Sequence, residues 1–212
     1  MEAELKARAC DIGIKLTPSG AQYLRFEMDI QGDHLEFLPA STVGEQFGAV
    51  VSALYTLFYE ADDGHEEWRA REYVSDENDI ILAAVTKVEW DNEGDMVEII
   101  LSRKFEVDID YENDVTEIEI KNYDISVKHY AVKTKDLCYA VAKACTEVFK
   151  EYGIYGYRYS TQYDHIDLHQ LLYIKSFALL NFEARALTAK NRAEWARRTS
   201  FEKEIELLLF DM

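Results

Sequence analysis

The stretch 115-VTEIEIKNYDISVKHYAVKTKDLCYAVAKACTEVFKEY-152 changes its period halfway along. Up to Val132 the side chains alternate: Thr116, Ile118 and Ile120 fall on one side, Glu117, Glu119 and Lys121 on the other, and a second run comes near His129 to Val132. A period of two is that of a strand whose successive side chains point to opposite faces. Beyond Asp136 the apolar positions Leu137, Val141, Ala144, Cys145, Val148 and Tyr152 recur every three or four residues, the spacing of a helix with one apolar face. The unit predicted is strand, strand, helix, with Asp136 as the helix cap.

The same order occurs 94 residues upstream. LRFEMDI and HLEFL, within 21–38, form a strand pair turning at Gly32-Asp33, and VGEQFGAVVSALYTLFYE comes next as an amphipathic helix carrying Phe47, Val50, Val51, Leu54 and Phe58. Ser41 or Thr42 with Glu45 makes its capping pair. At this offset Val50 falls on Ala144, Val51 on Cys145, Leu54 on Val148 and Phe58 on Tyr152. The register suggests a degenerate internal duplication, with modules 10–103 and 104–163. Between the helices IILAAVTKVEW and MVEIILSRKFEVDIDY alternate as strands. The final segment, 166–212, is a helical pair, DLHQLLYIKSFALLNFEARAL and TAKNRAEWARRTSFEKEIELLLF. The fold expected is α+β: a mostly antiparallel sheet, two long amphipathic helices and the C-terminal helical pair, in one compact domain over 1–212. Only Pro18 and Pro39 punctuate the chain, and no low-complexity linker divides it.

Charge narrows the class of partner. The 212 residues hold 23 Lys and Arg against 41 Asp and Glu, a net −18, and the excess lies entirely before residue 165. Such a surface repels nucleic acid and anionic membranes and attracts basic proteins. No long uncharged apolar run reads as a membrane span, and Cys10, Cys138 and Cys145 show neither metal spacing nor a paired disulfide count, so a reducing cytoplasm is expected. No cofactor signature is present: GxGxxG, the phosphate-binding loop, GxSxG and HExxH are all missing.

Two segments carry the candidate contacts. In FEVDIDYENDVTEIEIK, 105–121, alternation places Glu106, Asp108, Asp110, Glu117 and Glu119 on one face of a hairpin. Facing carboxylates oppose stability, which points to function. Along a strand they recur about every 6.6 Å, close to two of the roughly 3.4 Å axial steps of one nucleic-acid strand. Such a ladder could imitate a phosphate backbone; the plainer alternative is a solvated acidic face.

In EYGIYGYRYSTQYDHIDLH, 151–169, Gly153 ends the preceding helix, and Tyr155, Tyr157, Tyr159 and Tyr163 then alternate with Gly156, Arg158, Ser160 and Gln162. The expected strand presents an aromatic face, either as a half-buried wall or as a binding surface, where tyrosine gives large contact area at small entropic cost. His165 and His169 could share a helical face as metal ligands only if the helix already contained His165, whereas Asp167 fits an N-cap. Capping prevails, and no metal site is assigned.

The acidic strand with Glu119-Ile120-Lys121 after it is similar to the PD-(D/E)xK nuclease pattern over about fifteen residues, without the proline. That resemblance implies divalent-metal-dependent nucleic-acid cleavage, with carboxylates on the metal and the lysine at the attacking water. The reading preferred is non-enzymatic: an acidic inhibitor or immunity-type protein that neutralises a basic, nucleic-acid-acting partner such as a nuclease. A toxin-immunity or phage anti-defence setting suits it, with the carboxylate ladder and the tyrosines as its partner surface. The basic run Arg192, Arg197, Arg198 around Trp195 could contact the acidic part of a second copy and give a homodimer.

Overall fold

The computed structural model describes residues 12–18, 24–38, 47–59, 73–76, 79–92, 95–105, 114–122, 126–160 and 165–179. Within them the fold is α+β, with two antiparallel sheets and three helices. The smaller sheet consists of β1 (Ile12–Pro18), β2 (Leu24–Ile30) and β3 (Asp33–Phe37), paired in that order. Helix α1 (Phe47–Tyr59) comes next. The larger sheet takes β4 (Tyr73–Asp76), β5 (Asp79–Asn92), β6 (Asp95–Phe105), β7 (Val115–Asn122) and β8 (Ser126–Lys133) in chain order. Helices α2 (Thr134–Ser160) and α3 (Leu168–Leu179) complete the described chain. The C-terminal helix expected after α3, and the caps expected at Ser41, Thr42 and Glu45, lie outside the described residues.

Alternation in the sequence becomes two-sidedness in the sheet. The register aligns Ile99 with Val88 and Ile120, and Leu101 with Thr86 and Ile118. Val88, Trp90, Val97, Ile99, Leu101, Thr116, Ile118, Ile120, Tyr130 and Val132 are buried on that side. The helices and the smaller sheet cover it. Phe26 stacks on Phe37 with centroids 4.7 Å apart and meets Trp90 at 5.6 Å and Phe47 at 5.1 Å. These rings join the sheets and α1 at distances favourable for offset or edge-on aromatic contact.

The β2–β3 hairpin turns one residue earlier than expected, at Gln31-Gly32, with φ of 51° and 91°. Two consecutive positive φ values characterise the type I′ turn that matches the twist of paired strands. The hairpin tip fastens the sheets together: the Asp33 carboxylate accepts hydrogen bonds from the Tyr130 hydroxyl at 2.7 Å and Lys128 Nζ at 3.0 Å. Those donors hold Asp33 below the usual carboxylate range, and burial, with the bond to Asp33 second, pushes the Tyr130 phenol up.

Helix α2 starts at Thr134, so Asp136 stands in its first turn rather than at the cap, where its charge still suits the helix dipole. The Thr134 amide donates to the Asp114 carbonyl at 2.9 Å, and its hydroxyl lies 2.9 Å from that of Thr116. At the 94-residue offset Val50, Val51 and Leu54 match Ala144, Cys145 and Val148 in being buried, whereas Phe58 is buried and Tyr152 is 36% exposed.

Residues 154–160 overturn one expectation. They are helical, not a strand, and continue α2 past Gly153, whose φ of 68° and ψ of 161° break the helix. That backbone region is essentially confined to glycine. The glycine marked the break correctly, but Tyr155, Tyr157 and Tyr159 at period two did not specify the conformation beyond it. Tyr157 is buried edge-on against Phe149, with centroids 5.2 Å apart, across the break.

Gly153→Ala should cost about 1–3 kcal/mol in urea unfolding, because a side chain strains that backbone. Gly156→Ala should be neutral or slightly stabilising: its added methyl meets only the Tyr152 Cβ, at an ordinary 3.6 Å, in a helical turn.

Candidate interaction surface

The opposite side of the larger sheet faces outward. Glu117 is exposed on β7, Glu119 and Lys121 beside it are half-buried, and Val127 and His129 are exposed on β8. Glu117 and Glu119 therefore share the outward row that alternation assigned to them. Their cross-strand neighbours are not carboxylates. Glu117 lies opposite Ser102 and Ala131, and Glu119 opposite Ile100 and His129. The expected facing carboxylates are thus absent around these two residues, and Glu106, Asp108 and Asp110 lie outside the described residues.

Like charges do oppose one another on β5 and β6, where Glu89 pairs in register with Glu98. Lys87 Nζ resolves that repulsion by reaching both, at 2.6 Å and 3.0 Å, and the two carboxylates lift its pKa well above the ordinary lysine value. Glu119 has its own cation, Lys121 Nζ, at 3.0 Å. Exposed pairs of this kind contribute little to stability, but they trim the negative field of the face.

Glu119 and Lys121 meet the spacing requirement of the nuclease resemblance, being on the same face of one strand. Among the described residues no three His, Cys, Asp or Glu side chains converge into a group able to hold a metal ion.

The tyrosine segment is helical, not the expected strand, over the residues described. On that helix Tyr157 is committed to the core, so it does not belong to the outward aromatic face that alternation predicted. Tyr163 lies outside the described residues.

The capping role expected of Asp167 is present. Its Oδ1 accepts from the amides of His169 at 2.8 Å and Gln170 at 3.1 Å, and its carbonyl accepts from Leu171 at 2.9 Å. His165 and His169 are exposed on either side of this cap, and His169 packs edge-on against Tyr55 of α1.

Two buried cations escaped the sequence reading. Arg103 continues the inward alternation of Val97, Ile99 and Leu101, and Lys175 sits among Leu171, Ile174 and Ala178 at helical spacing. Their positions in those apolar patterns were the available signal. Lys175 Nζ donates to Thr146 Oγ1 at 3.0 Å, while that hydroxyl donates to the Ala142 carbonyl at 2.7 Å. Burial, with Lys150 nearby, lowers the Lys175 pKa from 10.5 to about 8. Cys138 is buried too, and desolvation pushes its thiol well up, so it is a core residue and no ready nucleophile.

No family model, curated protein or solved structure matches the chain. Among the described residues no helix is long and apolar enough to cross a membrane.

The buried lysine sets a pH dependence. Between about pH 8 and 10.5 the unfolded chain holds a proton on Lys175 that the folded chain has released, so the contribution of this lysine to unfolding free energy rises with pH; from about pH 9 the raised Cys138 thiol, which keeps a proton the unfolded chain loses, acts in the opposite direction. In urea titrations from pH 7 to 10.5 the stability of the wild type relative to Lys175→Met should rise with pH, and Lys175→Met should be the more stable of the two at pH 7.

Proposed function

We propose that the protein is an acidic binding protein whose partner is basic and acts on nucleic acid, an inhibitor or immunity-type role in which a carboxylate row stands in for phosphates. The observation that carries this reading is the outward row of Glu117 and Glu119 on β7, within a chain of net charge −18. Two same-face carboxylates separated by about 6.6 Å offer a basic groove charges at near-phosphate spacing. The surrounding acidic excess would steer a basic partner into contact at a rate that falls with salt. Glu106, Asp108 and Asp110 would extend the row, and the cytoplasm is the compartment proposed.

The alternative is a divalent-metal-dependent nuclease of the PD-(D/E)xK type, built on the Glu119–Lys121 pair. The two readings separate on one pair of assays. Basic proteins captured on the tagged chain and released by a salt gradient should bind the Glu117→Gln/Glu119→Gln variant at least about tenfold more weakly, with a shallower salt dependence. Unchanged affinity would remove the ladder. Cleavage of DNA or RNA with magnesium or manganese, lost in Glu119→Gln or Lys121→Ala, would establish the nuclease instead.

A further inference from the structure

Two hydrogen bonds fix how His129 meets the β7 carboxylates. The Thr134 amide donates to the Asp114 carbonyl, which continues the β7–β8 register by one step as a hydrogen-bonded pair. Such pairs alternate with non-hydrogen-bonded ones along an antiparallel ladder, so Glu117–Ala131 and Glu119–His129 are of the second kind. The Ala131 carbonyl agrees: it accepts from Gln31 Nε2 at 2.7 Å and therefore points away from β7. In non-hydrogen-bonded pairs the Cα atoms approach to about 4.5 Å and the side chains lie closer. Glu119 and His129 are thus close cross-strand neighbours on the outward face.

We propose that His129 is a pH-sensitive member of the carboxylate row, and that its protonation weakens the row's hold on a basic partner; this rests on the reading of that row as the partner surface. Imidazole is the side chain whose charge ordinarily changes between about pH 5 and 8. On β7, Glu117 and Lys121 stand diagonally from it and Lys121 Nζ already lies 3.0 Å from Glu119. On β6, Ile100 and Ser102 oppose the two glutamates and Glu98 opposes Lys121. Along β8 its outward neighbours Val127 and Ala131 are uncharged, Lys133 comes next beyond Ala131, and Lys128 is turned to Asp33 of the β2–β3 hairpin.

With a neutral imidazole the local row sets two carboxylates, Glu117 and Glu119, against one cation, Lys121. Protonated His129 makes the cations equal in number to the carboxylates. The local negative excess that would attract a basic segment is then gone, while the fold is untouched, because His129 is exposed.

The test is calorimetric titration, at fixed ionic strength, with a peptide of alternating arginine and glycine, whose extended arginines recur at the two-residue period of the row. Wild type, His129→Gln, His129→Lys and Glu117→Gln/Glu119→Gln are compared at about pH 8 and about pH 5.5, each checked for folding by circular dichroism. From the higher pH to the lower, the wild type should lose about two- to fivefold more affinity than His129→Gln. His129→Lys, which carries its cation at both pH values, should bind more weakly than the wild type at pH 8 by the same factor. A double glutamine variant that binds as the wild type does at pH 8 removes the row as the contact, and the proposal with it. If that variant is weakened while wild type and His129→Gln lose affinity in parallel, or while His129→Lys binds like the wild type, the row stands and the switch is overturned. Should one His129 variant fail to fold, the other decides.

Discussion

The buried Arg103 guanidinium is where the separate parts of this chain meet. Its side chain is fully excluded from solvent, as Asp114 nearly is, with Nε 2.8 Å and 3.0 Å from the two carboxylate oxygens and Nη2 2.6 Å from one of them. Nη1 donates to the Leu57 carbonyl at the end of α1, and the guanidinium lies 4.7 Å from the centroid of the Phe58 ring. Asp114 in turn receives the first amide of α2 on its backbone carbonyl. One arginine on β6 therefore holds the last turn of α1, the entry to β7 and the start of α2. A charge so placed is tolerable only while its partners persist: removing one leaves an uncompensated ion in a dry interior, a loss of about 3–5 kcal/mol. Net stabilisation relative to an apolar core is a different matter, because desolvating both ions offsets much of their attraction. The pair supplies placement, since a guanidinium with carboxylate, carbonyl and ring partners accepts few alternative arrangements.

The covered side of the larger sheet is organised around that placement. With the end of α1 fixed over Arg103, Tyr55 and Phe58 meet Tyr173 and Phe177 of α3, the closest pair being Phe58 and Phe177 at 4.5 Å between centroids. The third helix is thus docked by aromatic contact with α1 and, on its other flank, by Lys175 against α2. The cost of burying that amine is visible in its lowered pKa, so α3 sits on its neighbours with less than the full benefit of its apolar stripe. On the other side of the sheet cations pair with carboxylates across and along strands, Lys87 with Glu89 and Glu98 and Lys121 with Glu119. Exposed pairs on such a face can change with little effect on stability, which is compatible with the proposed partner-binding role.

Strand and helix periods were legible in the sequence because they are local. Inward alternation in β7, the apolar stripe of α2 and the Asp167 cap each depend on residues within a turn or two of one another. The tyrosine segment shows where locality fails. Gly153 was readable as a break, but the conformation after it is settled by Tyr157 packing against Phe149, a contact across the break. The acidic row shows the same limit on a larger scale. Parity decides which face Glu117 and Glu119 occupy; register decides which residues oppose them, and register arises from the pairing of whole strands.

The amino-acid sequence by itself determined the α+β class, the sites of the two long helices, the outward direction of the β7 carboxylates and the strongly acidic character, because these depend on composition and short periods. The tertiary structure alone decided that the described strands form two sheets rather than one, that Arg103 and Lys175 lie in the interior, and that the β2–β3 turn closes on β8. Each of those joins residues far apart in the chain. Gln31 and Ala131 are 100 positions apart, and Arg103 and Leu57 are 46. No periodicity encodes such a meeting, which exists only when the packed elements bring a donor and an acceptor within hydrogen-bonding reach.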